Sequence, residues 1–213
     1  GGPAMLMTTE PAFRMQVMSA GSEPPASGQV GVMESRWLKA HAEQVSGVTL
    51  AFEDPYHRLG GLGASSAWWL MAERYLALPA DQPMTSDAFY TDRSMRSAVL
   101  ERFRAFMQVP GGVTPSGYDL LAQAISANYL FIHEADDGCL LPLDWPFPDL
   151  GIMLCHTGHK LQTHAHLSAL RLGSVQRGHD LVMRGFSALR AADKPIFCET
   201  INAYHDWLAD SGW

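Results

Sequence analysis

Gly60-Gly61-Leu62-Gly63-Ala64-Ser65-Ser66-Ala67-Trp68-Trp69-Leu70-Met71-Ala72-Glu73 is a glycine loop running into an apolar, helix-favouring segment. Gly60, Gly61 and Gly63 leave the backbone free in φ and open to close approach. Ser65 and Ser66 stand where the helix begins. Such a junction presents unpaired backbone N–H groups and the positive end of a helix dipole, a geometry suited to a phosphate. A glycine turn with a serine N-cap accounts for the same residues structurally. The two best-known glycine codes do not fit. No lysine follows the loop as a P-loop requires, and the position three after Gly63 is Ser66 where a dinucleotide fingerprint has glycine.

The chain has 213 residues, 47% hydrophobic and 17% charged, enough apolar material for one large domain or two small ones. A net charge of −7 and the lack of a basic stripe argue against nucleic acid as a partner. Lysine occurs only as Lys39, Lys160 and Lys194, so an anion site must rely on arginines, backbone amides or one of these. Cys139, Cys155 and Cys198 have no close spacing, which fits a reducing cytoplasm and not a disulfide scaffold or a cysteine zinc site. No apolar run reaches the roughly 20 residues of a membrane helix, and no secretory signal is evident. A cytoplasmic protein is expected.

Residues 4–18 read as a strand or hairpin broken at Thr8-Thr9-Glu10-Pro11. Glu34 to Val45 reads as a helix, Val48 to Phe52 as a strand, and Ser65 to about Leu78 as a buried helix with Trp68 and Trp69 in the core. Arg93 to Val109 gives another helix. Ser116-Gly117-Tyr118-Asp119 opens a further one through Ile125. Tyr129 to His133 and Cys139 to Leu143 read as strands joined at Asp136-Asp137-Gly138. A strand is expected over Gly151 to His156, and helices over about 163–172, 174–191 and 196–209. The pattern is α+β.

Two further segments carry chemistry. In Thr114-Pro115-Ser116-Gly117-Tyr118-Asp119, a carboxylate opening a helix near a phosphate loop can orient a substrate hydroxyl or take its proton. Ser116 and Asp119 also fit a capping box, a structural use compatible with the first. Cys155 to His166 holds four histidines, His156, His159, His164 and His166, but none pair at the four-residue helical spacing of a zinc site. We read it as a strand-turn-helix corner where Thr157, Lys160 and Thr163 face an anionic ligand. A solvated turn lysine is the alternative for Lys160.

Together these segments resemble the GHMP kinases. The Gly60–Ala67 loop is similar to the family's Pro-x-x-x-Gly-Leu-Gly-Ser-Ser-Ala phosphate loop, with Ala64 in addition. The Thr-Pro-Ser-Gly-Tyr-Asp segment is similar to the Ser-Gly-x-Asp motif of mevalonate and phosphomevalonate kinases. The resemblance covers most of residues 1–170. It implies a GHMP kinase fold: a ribosomal-protein-S5-like N-terminal domain, residues 1–145, and a ferredoxin-like, helix-rich C-terminal domain, residues 146–213. It implies ATP and Mg²⁺ as cofactors, mevalonate, phosphomevalonate or a similar small anionic acid as acceptor, no membrane partner, and a homodimer as one possible assembly. Asp119 and Lys160 would be catalytic. Gly60, Gly61, Leu62, Gly63, Ala64, Ser65 and Ser66 would hold the nucleotide phosphates, with Ser65 or Ser66 reaching the metal. Ser116, Gly117, Thr157 and Thr163 would face the substrate. The decarboxylases of the same fold rank lower, because the Ser-Gly-x-Asp string has the kinase form. The family's first and third motifs do not occur, and Glu101 and uncharged Gln108 stand where a metal-binding glutamate is sought, so a trimmed version of a longer enzyme is expected. The rival reading is a catalytically silent protein of the same fold that binds a ligand or partner.

Overall fold

The computed structural model describes residues 2–21, 31–56, 62–77, 92–108, 114–125, 129–133, 139–153, 155 and 174–212. Among them are five strands and six helices. The strands are β1 (Ala4–Met7), β2 (Arg14–Ser19), β3 (Val48–Glu53), β4 (Tyr129–His133) and β5 (Cys139–Leu143). The helices are α1 (Val32–Ala40), α2 (Ala64–Ala77), α3 (Arg93–Met107), α4 (Tyr118–Ala124), α5 (Val175–Arg190) and α6 (Lys194–Asp210). No helix among the described residues is long and apolar enough to cross a membrane.

The chain divides into two compact units that interleave along the sequence. The first comprises Gly1–Thr8, Val109–Tyr118 and Ala127–Trp213, and the second Thr9–Gln108 and Asp119–Ser126. A linear cut at residue 145 would fall inside the continuous third piece of the first unit.

The first unit holds an antiparallel sheet in the order β1-β4-β5. Met5 faces Phe131 in register, and Phe131 faces Leu141 across the other side. Phe131 stacks on Phe186 of α5 at 3.8 Å, so the sheet packs against the helical hairpin. A second cluster joins Phe147, Leu189 and Phe197, with Trp145 edge-on to Phe147 and Phe197. The hairpin is specified locally. Ser174 accepts a hydrogen bond from Arg177 N at 3.2 Å, and Asp193 accepts one from Ile196 N at 3.1 Å, each capping its helix. Pro195 sits in the first turn of α6, where its missing N–H is harmless. The link is so short that Ala192 takes a left-handed φ of 53°.

The second unit pairs β2 with β3 and gathers α1 to α3 and most of α4 around tryptophans. Arg14 lies opposite Glu53 at one end of that ladder. Trp37, Trp68 and Trp69 are all buried, Trp37 completely at 0% exposure, which bears out the core reading of the α2 pair. Trp37 meets Trp68 edge-to-face, and Trp69 meets Phe103 of α3 likewise. The carboxylate of Glu73 on α2 accepts the Trp37 indole N–H at 2.8 Å and lies 3.9 Å from both His41 and Arg102. Asp92 caps α3 through Met95 N, and its bonds from the Ser94 hydroxyl and Met95 N–H hold its carboxyl below the usual range.

Three local expectations change. Residues 4–18 form two strands, but not a hairpin: β1 pairs with β4 and β2 with β3, in separate sheets. The helix expected from Glu34 to Val45 starts at Val32 and ends at Ala40, where His41 leaves helical geometry and Gly47 turns the chain with φ 85°. No strand forms over residues 151–153; Gly151, Ile152 and Met153 are exposed and pair with no other strand among the described residues.

Candidate functional site

The glycine loop and the aspartate segment meet inside the second unit. Gly63 takes φ 79°, a left-handed turn suited to glycine, and its carbonyl accepts the Ala67 N–H at 2.9 Å to start α2. The N–H groups of the first helical turn, from Ala64, Ser65 and Ser66, therefore have no carbonyl within the helix to bond. Ser66, Ala67, Trp68 and Trp69 that follow are buried in an unbroken run, and Ser65 is exposed.

Ser66 is 1% exposed, and its hydroxyl lies 2.6 Å from Asp119 Oδ2 and 2.9 Å from the Gly63 carbonyl. Asp119 itself is exposed, in the first turn of α4. One turn further along the same helix, Gln123 donates from Nε2 to the Gly63 carbonyl at 2.8 Å. A Cβ at Gly63 would overlap Gln123 Nε2, the far end of a flexible side chain, so the amide would have to leave its place to admit one. The other amide oxygen, Gln123 Oε1, is buried without a hydrogen-bond partner among the described residues. Two residues of α4 thus grip two residues at the head of α2, across 53 and 60 positions of sequence.

Of the residues singled out from sequence, the fold brings together Gly63, Ser66 and Asp119, with Ala64 and Ser65 beside them in the first turn of α2. Leu62 precedes them, partly buried. Ser66 was expected to face phosphate or metal; it is buried and directed at Asp119, which leaves Ser65 as the exposed hydroxyl of the pair. Ser116 and Gly117 belong to the first unit, where Ser116 Oγ accepts the Tyr118 N–H at 3.4 Å and Gly117 turns the chain with φ 73°. Gly60, Gly61, Thr157, Lys160 and Thr163 lie outside the described residues. No group of three His, Cys, Asp or Glu side chains among the described residues is placed to hold a metal. Gln123 was missed. Its signal was present: it follows Asp119 by one helical turn, hence on the same face.

Chemically, the arrangement offers a helix start whose first N–H groups have no partner within the helix, an exposed hydroxyl on Ser65, and an exposed carboxylate that accepts at one oxygen from a buried donor. No protein-family model, curated protein or solved structure matches the chain.

Proposed function

We propose that the chain carries the phosphate-binding and acceptor-activating parts of a cytoplasmic, ATP- and Mg²⁺-dependent small-molecule kinase of the GHMP type, acting on mevalonate, phosphomevalonate or a similar small anionic acid. The 2.6 Å bond between Ser66 and Asp119 supports this most, because it joins the two sequence motifs that suggested the family. Phosphoryl transfer asks a protein mainly to position groups and neutralise charge.

In this reading the N–H groups of Ala64, Ser65 and Ser66 receive phosphate oxygens at the positive end of the α2 dipole. Ser65, exposed in that turn, is the hydroxyl that fits a phosphate-bound Mg²⁺, a cation that retains waters and needs few protein ligands. When bound, Mg²⁺ supplies charge neutralisation. Asp119, held at Oδ2 by Ser66, presents its remaining oxygen to the acceptor and takes or orients the hydroxyl proton. The test is ATP turnover with mevalonate and with phosphomevalonate, wild type against Asp119→Asn. We expect kcat to drop by about 10²–10⁴ in the variant. Equal rates in the two proteins would remove Asp119 from the chemistry.

One observation favours the ligand-binding alternative. The first unit contains an apolar cavity of about 590 Å³, bordered by Met5, Leu143, Trp145, Leu189 and Phe197, a size suited to a small apolar ligand. Saturable binding of an apolar dye there, in a chain that neither binds nor turns over ATP, would favour that reading.

A further inference from the structure

We propose that Gln123 is a positioning residue of the site, acting on Asp119 through Ser66. This rests on the kinase reading above and deepens it. The Gly63 carbonyl is approached by three donors: Ala67 N at 2.9 Å, Ser66 Oγ at 2.9 Å and Gln123 Nε2 at 2.8 Å. A carbonyl oxygen has two lone pairs, and a serine hydroxyl has one proton. Ala67 and Gln123 fill the carbonyl, so the Ser66 proton goes to Asp119 Oδ2, the shorter contact and the charged acceptor. The Gln123 amide thereby decides which way the Ser66 hydroxyl points.

Removing the amide changes that balance. The Gly63 carbonyl then competes for the Ser66 proton, and the carboxylate of Asp119 loses the donor that fixes its plane. Asp119 is exposed, and among the described residues its carboxylate accepts the Ser66 hydroxyl. Misplacing a reacting group by about 1 Å can cost on the order of 10²-fold in rate. The effect should appear in kcat, because substrate and nucleotide contacts are untouched.

The experiment measures kcat and KM for ATP and acceptor in Gln123→Met, Ser66→Ala, the double variant and Ser66→Thr, with each folded fraction fixed by circular dichroism. Gln123→Met keeps the side-chain length without a donor. We expect kcat to fall by about tenfold or more in Gln123→Met and in Ser66→Ala, with KM values within about twofold of wild type. The double variant should lose no more than the worse single one, since both act on one proton. Ser66→Thr, which keeps the hydroxyl, should retain most of kcat. A Gln123→Met protein with wild-type kcat, or losses that multiply in the double variant, overturns the inference and leaves the kinase reading intact. A melting temperature that falls while kcat per folded molecule stays constant assigns Gln123 a packing role and overturns it equally. A wild type that turns over no ATP removes the kinase reading itself, and this inference with it.

Discussion

Gly63 is the residue where conformation and contact act together. Its φ of 79° is costly for any other L-residue, and Gln123 occupies the space a Cβ would need. The left-handed conformation alone costs alanine about 1–2 kcal/mol, and the amide must also move. Gly63→Ala is therefore expected to lower Tm by about 3–8 °C for a chain of this size, read by calorimetry, and to reduce kcat together with it. An unchanged Tm would mean the turn is not held as described. The adjacent serines should part company in the same assay. Ser65→Ala, at an exposed position, should raise the KM for Mg·ATP and leave Tm within a degree or so, because exposed substitutions typically change stability by less than about 0.5 kcal/mol. Ser66→Ala, at a buried hydroxyl bonded to a carboxylate, should cost about 1–3 kcal/mol of stability. If Ser65→Ala lowers Tm and leaves the KM for Mg·ATP unchanged, the metal-facing role of Ser65 is wrong.

At the scale of elements, the α5–α6 hairpin contains two glycines with opposite expectations. Gly178 lies under the indole of Trp207: a Cβ would stand 2.6 Å from Cη2 and 2.7 Å from Cζ2. The ring is rigid and 8% exposed, so it cannot step aside. Overpacking of this kind costs about 1–3 kcal/mol, more than the roughly 1 kcal/mol gained by replacing glycine with alanine in a helix. Gly185 is different. Its nearest neighbour is the terminal methyl of Met5 at 3.1 Å, the flexible end of a long side chain. Gly178→Ala should lower Tm and Gly185→Ala should leave it unchanged or raise it, measured side by side; the reverse order would contradict the packing described. The elements also show what a sequence can reveal. Helices α2, α3, α5 and α6 were readable because their apolar spacing and caps, such as Asp193 before Lys194-Pro195, are local. Strand pairing was not: Met5 finds Phe131 some 126 residues away, so of the strand or hairpin expected over 4–18 the strands form but do not pair with each other. The strand expected over Gly151 to His156 does not form in its described part, 151–153; composition carries no information on whether a partner edge is near. In the candidate site, the Ser66–Asp119 contact joins two segments that the sequence already singles out, whereas the contact of Gln123 with Gly63 depends on tertiary docking of two helices.

For the whole molecule, the decisive feature is connectivity. The second unit is made of two pieces of chain, Thr9–Gln108 and Asp119–Ser126. Gly63, Ser65 and Ser66 come from the first piece, Asp119 and Gln123 from the second. The site therefore exists only when the short piece docks, and a ligand that needs the assembled site must stabilise that docking. Binding at a hundredfold over Kd adds about 2.7 kcal/mol to the state that binds. For a chain of about 150–250 residues that corresponds to a Tm increase of about 5–10 °C. Mg·ATP should produce this shift, and hydrogen exchange should slow at the amides of α2 and α4 in particular, because those helices carry the groups that meet at Gly63. Gln123→Met should speed exchange in α4 with and without nucleotide alike, since it severs one of the bonds joining the pieces. A full thermal shift with α2 and α4 exchanging at their unliganded rates would place the nucleotide elsewhere on the chain, and the glycine turn would then be a helix start and nothing more.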